Sequence, residues 1–150
     1  MRAVIQRVLE ASVTIDGKVV SKIKSGLLIL VGIVEEDTKE DIDWLTKKIA
    51  NLRIFNDENG VMNNSLININ GDAIVVSQFT LQASTKKGNR PSYIKAAKPE
   101  VAVPLYNQFV SQIEAELNKK VGTGVFGADM KVTLVNDGPV TIIIDSKERV

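Results

Sequence analysis

The chain has neither cysteine nor histidine. Without cysteine there is no disulfide framework, no thiolate nucleophile and no Cys-based zinc site. Without histidine the Ser-His-Asp triad, the Cys-His pair and the His-rich hydrolytic zinc sites are also excluded. Any hydrolysis must therefore run on hydroxyls, carboxylates, lysines, backbone groups or the substrate itself. Aromatic residues make up only 5% of the chain, too few for an aromatic-studded RNA platform. Charge of one sign is scarce too: 19 Lys and Arg against 18 Asp and Glu give a net charge of +1. A polyanion would then have to be held by a local patch rather than by an overall field. The longest apolar run, Gly26 to Val34, is too short to cross a bilayer as a helix. The N-terminus opens into an alternating pattern rather than a signal peptide, so a cytoplasmic location with no membrane partner is expected.

What is present is ordinary globular material: 150 residues, 44% hydrophobic and 25% charged, matching one domain over 1–150. Apolar and polar residues alternate from Arg2 to Ile15, which predicts a half-buried strand. Asp16-Gly17 supplies a tight turn into a return strand over Val19–Ile23. The continuously apolar Gly26–Val34 predicts a central strand covered on both faces. Ile42, Leu45, Ile49 and Leu52 recur at helical spacing after a cap at Asp37 or Thr38. Further strands are expected at Arg53–Phe55 and Ala73–Leu81, with turns at Asn59-Gly60 and Asn70-Gly71. A second helix should follow Pro99, with Leu105, Phe109, Ile113 and Leu117 on one face and Pro104 shortening its start. Met130–Val135 and Val140–Asp145 are expected to be two strands antiparallel to each other, because the Asn136–Pro139 spacer is too short for a helix. The expected fold class is α+β, a mainly antiparallel sheet packed with two principal helices in a single domain.

Two tempting motifs lose to simpler explanations. Gly122–Gly127 (GTGVFG) matches G-x-G-x-x-G, but a helix runs in and a strand runs out, the reverse of what a dinucleotide site needs. Glu35, Glu36 and Asp37 resemble a hard-metal cluster, yet they stand at a predicted helix start where acids are favoured anyway. No metal and no cofactor is expected.

Ser77-Gln78-Phe79-Thr80-Leu81 ends a predicted strand with two hydroxyls, an amide and an aromatic ring. Strand alternation would put Ser77, Phe79 and Leu81 on one face and Gln78 and Thr80 on the other. Taken alone this is an ordinary strand with a polar face, and Gly138-Pro139 alone is an ordinary turn whose bond can be cis at modest cost. Together and in order, SQFTL at 77–81 and NDGPVT at 136–141 resemble the two signature motifs of the D-aminoacyl-tRNA deacylase family. MRAVIQRV at 1–8, KGNRPSY at 87–93 and GVFGADM at 124–130 extend the resemblance over essentially the whole chain. Tyr93 departs slightly, where phenylalanine is more usual.

The resemblance implies a partly barrel-like sheet and a homodimer in which Gly138-Pro139, with a cis bond, reaches into the active site of the other subunit. Its carbonyls would stand where an L side chain lies, admitting D-amino acids and glycine, including glycine mischarged on tRNA-Ala. It further implies catalytic roles for Ser77, Gln78, Phe79 and Thr80, and substrate contacts by Phe126 and Met130. Arg7 is either a buried guanidinium holding the Gly138-Pro139 motif through carbonyls or a strand-face surface charge. The partner is the 3′ acceptor end of D-aminoacyl-tRNA, with no DNA implied.

Hydrolysis without histidine has two possible routes, with backbone N–H groups at Phe79 and Thr80 as an oxyanion hole. Thr80 could attack, but no carboxylate lies beside it in sequence to act as base. The favoured route lets the vicinal ribose hydroxyl of the substrate help activate water. Lys86, Lys87 and Arg90, continued by Lys95 and Lys98, form a basic run that is either a solvated loop or a tRNA contact. The rivals are a non-catalytic module that binds RNA or protein, and a hydrolase of unrelated small esters.

Overall fold

The computed structural model describes residues 1–150. Its chain order is β1 (Arg2–Ile15), β2 (Lys18–Ile23), β3 (Gly26–Gly32), α1 (Lys39–Asn51), β4 (Phe55–Asn56), β5 (Met62–Asn64), β6 (Asp72–Ser77), a 3₁₀ turn (Phe79–Gln82), α2 (Pro99–Leu117), β7 (Gly122–Thr123) and β8 (Lys131–Asp145). The β1–β2 turn has positive φ at both Asp16 and Gly17, as the sequence predicts. No helix is long and apolar enough to cross a membrane.

The sheet runs β2-β1-β3-β6-β7, and β8 pairs with the other edge of β1. Its β2 end comes round to meet β7, where a side chain on Gly122 would collide with the Ser21 hydroxyl, so the sheet is nearly closed into a barrel. It is mixed, antiparallel in most of its pairing and parallel in the remainder. β1 pairs antiparallel with β2, β3 and β8, whereas β3–β6 and β6–β7 are parallel. Helix α1 and the β4–β5 hairpin lie between β3 and β6 in the chain, and a crossover of that length is what parallel neighbours require.

β3 is buried on both faces, as its unbroken apolar run predicts. Leu27, Ile29 and Val31 pack on the helix side with Ile42, Leu45, Phe109 and Ile113. Leu28 faces a second cluster with Val8, Val13, Ile74 and Val76 inside the curl of the sheet. β1 changes sides along its length: Ala3 and Ile5 belong to the helix-side cluster, Ala11 and Val13 to the inner one. A register shift between Val8 and Glu10 inserts Leu9 and reverses which residues face in.

The last two predicted strands are one. Neither pairs with the other; β8 runs as a single strand antiparallel to β1, and residues 137–140 bulge out opposite Arg7. The short spacer reads as a hairpin turn in sequence, but here the partner on both sides of it is β1. Similarly, the strand expected through Leu81 stops at Ser77 and turns into the 3₁₀ segment. α2 continues through Pro104 in its second turn rather than being shortened by it, and the missing N–H leaves the Glu100 carbonyl without its intrahelical donor.

The start of α1 is tied to the chain's last residues. Thr38 is the N-cap, and its N–H donates to the Asp41 carboxylate at 2.9 Å. Ser146 and Lys147 donate to the same carboxylate at 2.7 and 2.9 Å. Burial pushes the Asp41 carboxyl up, but the bonds from Ser146, Lys147 and Thr38 outweigh it and hold the group well below the usual carboxylate range. A depressed carboxyl contributes stability that is present above its ordinary titration range and lost as pH falls. Asp41→Asn should therefore lower stability at pH 7 by about 2 kcal/mol. Urea midpoints at pH 7 and at about pH 3 should converge between the variant and the parent as the acid limit is approached.

Candidate active site

The register of β3 and β6 delivers the SQFTL segment to its place. Ser77 is the last residue paired with β3, opposite Val31, and the Gln78 N–H still reaches the Val31 carbonyl at 2.8 Å. The chain then folds back over Gly32. A Cβ on Gly32 would lie 2.9 Å from the Gln78 carbonyl oxygen and from the Leu81 Cβ, so only glycine leaves room for the turn. Buried Gln82 fastens it, donating from Nε2 to the Gly32 carbonyl at 3.0 Å. Arg2 holds the outer side, with one guanidinium nitrogen on the Leu81 carbonyl and Nε on Asp145, each at 3.0 Å.

At this turn lies a cavity of about 320 Å³. Of the residues singled out in sequence, Ser77, Gln78, Phe79, Phe126 and Met130 line it. Because the strand ends at Ser77, the predicted alternation of faces does not hold beyond it. Phe79 opens onto the cavity, while Thr80 and Leu81 line a neighbouring cleft with Arg2, Asp145 and Glu148. Gln78 joins the two, its amide donating to the Thr80 hydroxyl at 2.5 Å. The apolar wall carries no such signal in sequence: Val31, Ile33, Val76, Ala97, Ala102 and Val132 line the cavity as well. Their strand and helix periodicity marks them as core, and nothing in their order says that some face an opening. Asp129 is the one carboxylate at the cavity, and it is exposed and bonded to Lys131 at 3.1 Å.

Phe126 is positioned by α2. Its ring stands 6.1 Å from that of buried Tyr106, whose hydroxyl donates to the Val75 carbonyl at 2.8 Å. Burial pushes the Tyr106 phenol up to about 12. The side chain is thus a neutral brace linking α2, β6 and the Phe126 wall.

Gly138 and Pro139 are joined by a cis bond, are both exposed, and do not line the cavity of their own chain. Arg7 is buried beneath them. Its Nε donates to the Asp137 carbonyl at 3.0 Å, and another guanidinium nitrogen donates to the Ile54 carbonyl at 2.7 Å. A surface charge on a strand face is therefore not what Arg7 is. Lys86, Lys87 and Arg90 are exposed on a loop whose neck is closed by reciprocal Ser84–Ser92 backbone bonds of 2.8 and 2.9 Å. The loop adjoins the cavity mouth, because Tyr93 beyond it packs edge-on against Phe79.

The family model described as D-Tyr-tRNA(Tyr) deacylase matches residues 4–145. The chain belongs to the D-aminoacyl-tRNA deacylase family. It is 72% identical to the D-aminoacyl-tRNA deacylase of Flavobacterium psychrophilum and 71% identical to that of Christiangramia forsetii, each over 99% of both chains. Among solved structures it superposes on the c-Myc DNA Unwinding Element Binding Protein with a TM-score of 0.91 and 41% identity, covering 97% of this chain and 98% of that one. A probable eukaryotic D-amino acid tRNA deacylase, at 16% identity, matches with a TM-score of 0.83 over 95% of this chain and 97% of its own, a likeness of fold. The family is one of ester hydrolases, and the cavity lies where its SQFTL and GVFGADM segments meet.

In this deacylase framework the Tyr106 brace has a separable signature. Tyr106→Phe should cost about 1–2 kcal/mol at neutral pH through the lost buried hydrogen bond. A phenol raised in the folded state leaves stability intact below its ordinary pKa and erodes it as pH rises toward 12. Denaturant melts between about pH 9 and 11 should show that decline in the parent and a smaller one in the variant.

Proposed function

We propose that the chain hydrolyses the ester joining a D-amino acid to the 3′ end of tRNA, releasing the free D-amino acid and tRNA. Near-complete alignment with relatives of that name supports the reaction. Within the structure, the observation that carries it is the convergence of Ser77, Gln78 and Phe79 with Phe126 and Met130 around one cavity. A water oxygen adds to the ester carbonyl carbon, and the bond to the ribose oxygen then breaks as that oxygen takes up a proton. The N–H groups of Phe79 and Thr80 stand first in the 3₁₀ turn, ahead of its internal bonds, and are suited to receive the oxyanion.

Three features favour activation of water by the neighbouring ribose hydroxyl over attack by Thr80. The Thr80 hydroxyl accepts a hydrogen bond from Gln78, leaving its own proton to donate. Of the carboxylates in its cleft, Asp145 is engaged by Arg2 and Glu148 is exposed. The chain also has no histidine to serve as base.

Chirality would be enforced across a homodimer. Gly138 and Pro139 are exposed and are not part of their own chain's cavity lining, as residues destined for a second copy would be. Arg7, bonded to the Asp137 carbonyl, fixes the direction of the bulge that carries them. Main-chain carbonyls in the cavity would clash with an L side chain and pass a D-residue or glycine, including glycine mischarged on tRNA-Ala. The free edge of β8 and the exposed Ile143, paired with Val4 on the outer face, offer surface for the second copy to cover. The exposed Lys86, Lys87 and Arg90 would meet the phosphates of the acceptor end.

With purified protein, D-Tyr-tRNA should be cut far faster than its spontaneous hydrolysis while L-Tyr-tRNA decays at the blank rate. If well-folded protein cuts neither, the hydrolase reading fails and a non-catalytic tRNA-binding module takes its place. Thr80→Ala should stay within about tenfold of the parent, far from the loss on the order of 10⁴-fold or more that follows removal of a covalent nucleophile. Lys87→Glu should raise KM and reduce the slope of log KM against log salt by about 1; an unchanged slope would count against phosphate contact by the loop.

A further inference from the structure

We infer that Phe79, Tyr93 and Ile94 form a ledge that stacks the unpaired nucleotides preceding the terminal adenosine of the substrate, with the 84–98 segment supplying its phosphate contacts. This rests on the deacylase reading and extends the site outward from its cavity.

The ledge is apolar surface that the fold leaves uncovered. Phe79 is 56% exposed, Tyr93 39% and Ile94 89%. The two rings meet at 5.0 Å with their planes 74° apart, an edge-to-face contact that holds both rigid and leaves ring face free for another planar group. Phe79 lines the cavity, so the ledge starts where the reacting nucleotide would end. The Ser84–Ser92 bonds close the neck of the loop that carries Lys86, Lys87 and Arg90, one residue before Tyr93.

Charge identifies the occupant. Lys86, Lys87, Arg90, Lys95 and Lys98 have no acidic residue among them, and none takes part in the salt bridges of the molecule. Exposed aromatic rings in the same segment as cations that form no ion pair fit a strand that alternates flat bases with phosphates. An acidic peptide would match the cations and leave the ring faces without a planar partner.

The test compares two substrates of the same ester, D-tyrosyl-tRNA and D-tyrosyl-adenosine, which differ only in the nucleotides beyond the cavity. The ratio of kcat/KM for the tRNA to that for the adenosine ester should fall about tenfold in Tyr93→Ala and hold in Tyr93→Phe. Ile94→Ala, at a position too exposed to disturb folding, should lower the same ratio by a smaller factor. A ratio unchanged in both Tyr93→Ala and Ile94→Ala would overturn the ledge. So would equal losses on both substrates, which would assign Tyr93 to the cavity instead. Parent protein inactive on both esters would refute the deacylase reading itself, an outcome separate from either of these.

Discussion

The site depends on how closely β6 can lie along β3. That parallel pair is bracketed by Gly26 and Gly32, and neither position tolerates a side chain. A Cβ on Gly26 would fall 1.8 Å from the Asp72 carbonyl oxygen, where β6 enters the sheet, and one on Gly32 would strike the turn where β6 leaves it. Between them, side chains buried on both faces fix the register, since a shift by one residue would exchange the helix-side and inner clusters. Register in turn sets where Ser77 ends the strand and where the Phe79 N–H begins the turn. The geometry of the candidate site is thereby built on a strand buried along nearly its whole length, although Phe79 in the turn is itself exposed.

A second constraint acts at β8. Pairing with β1 on either side of residues 137–140 leaves a bulge whose backbone carbonyls must be satisfied or solvated. Buried Arg7 takes the Asp137 carbonyl with Nε and the Ile54 carbonyl with another nitrogen, using the fork geometry that lysine lacks. One side chain thus links the bulge to the segment leading into the β4–β5 hairpin. The presentation of Gly138 and Pro139 to solvent follows from Arg7 in the interior together with Asn136, whose side chain accepts from the Val140 N–H at 2.8 Å and donates to the Thr141 hydroxyl at 2.9 Å across the neck of the bulge.

Chemistry without imidazole is consistent with these surroundings. The cavity wall is aliphatic and aromatic, its single carboxylate is exposed and paired, and the buried Tyr106 phenol behind Phe126 is a neutral brace. Such a site positions and polarises, and an aminoacyl ester with a neighbouring hydroxyl needs little more. On the proposed reading, substrate binding would be spread along a surface from the cavity across Phe79 and Tyr93 to the basic loop, with each portion contributing modestly.

Much of this was open to reading in the chain itself. Periodicity located both helices, the buried central strand and the Asp16-Gly17 turn, because each is dictated by neighbours in sequence. The missing cysteine and histidine restricted the chemistry, and the order of SQFTL, GVFGADM and NDGPVT pointed to the family. Pairing was not legible, since it depends on residues far apart. β8 reads as a hairpin until β1 is seen to run beside both halves, and SQFTL reads as strand until Gly32 is seen beneath its turn. Arg7 was ambiguous because β1 changes faces at Leu9, and alternation alone cannot say which side is inside. Local propensity and motif order thus came from the sequence alone. Burial, register and the meeting of the motifs in one cavity were decided only when the sheet closed, because closure determines which polar groups lose water and must find partners within the protein.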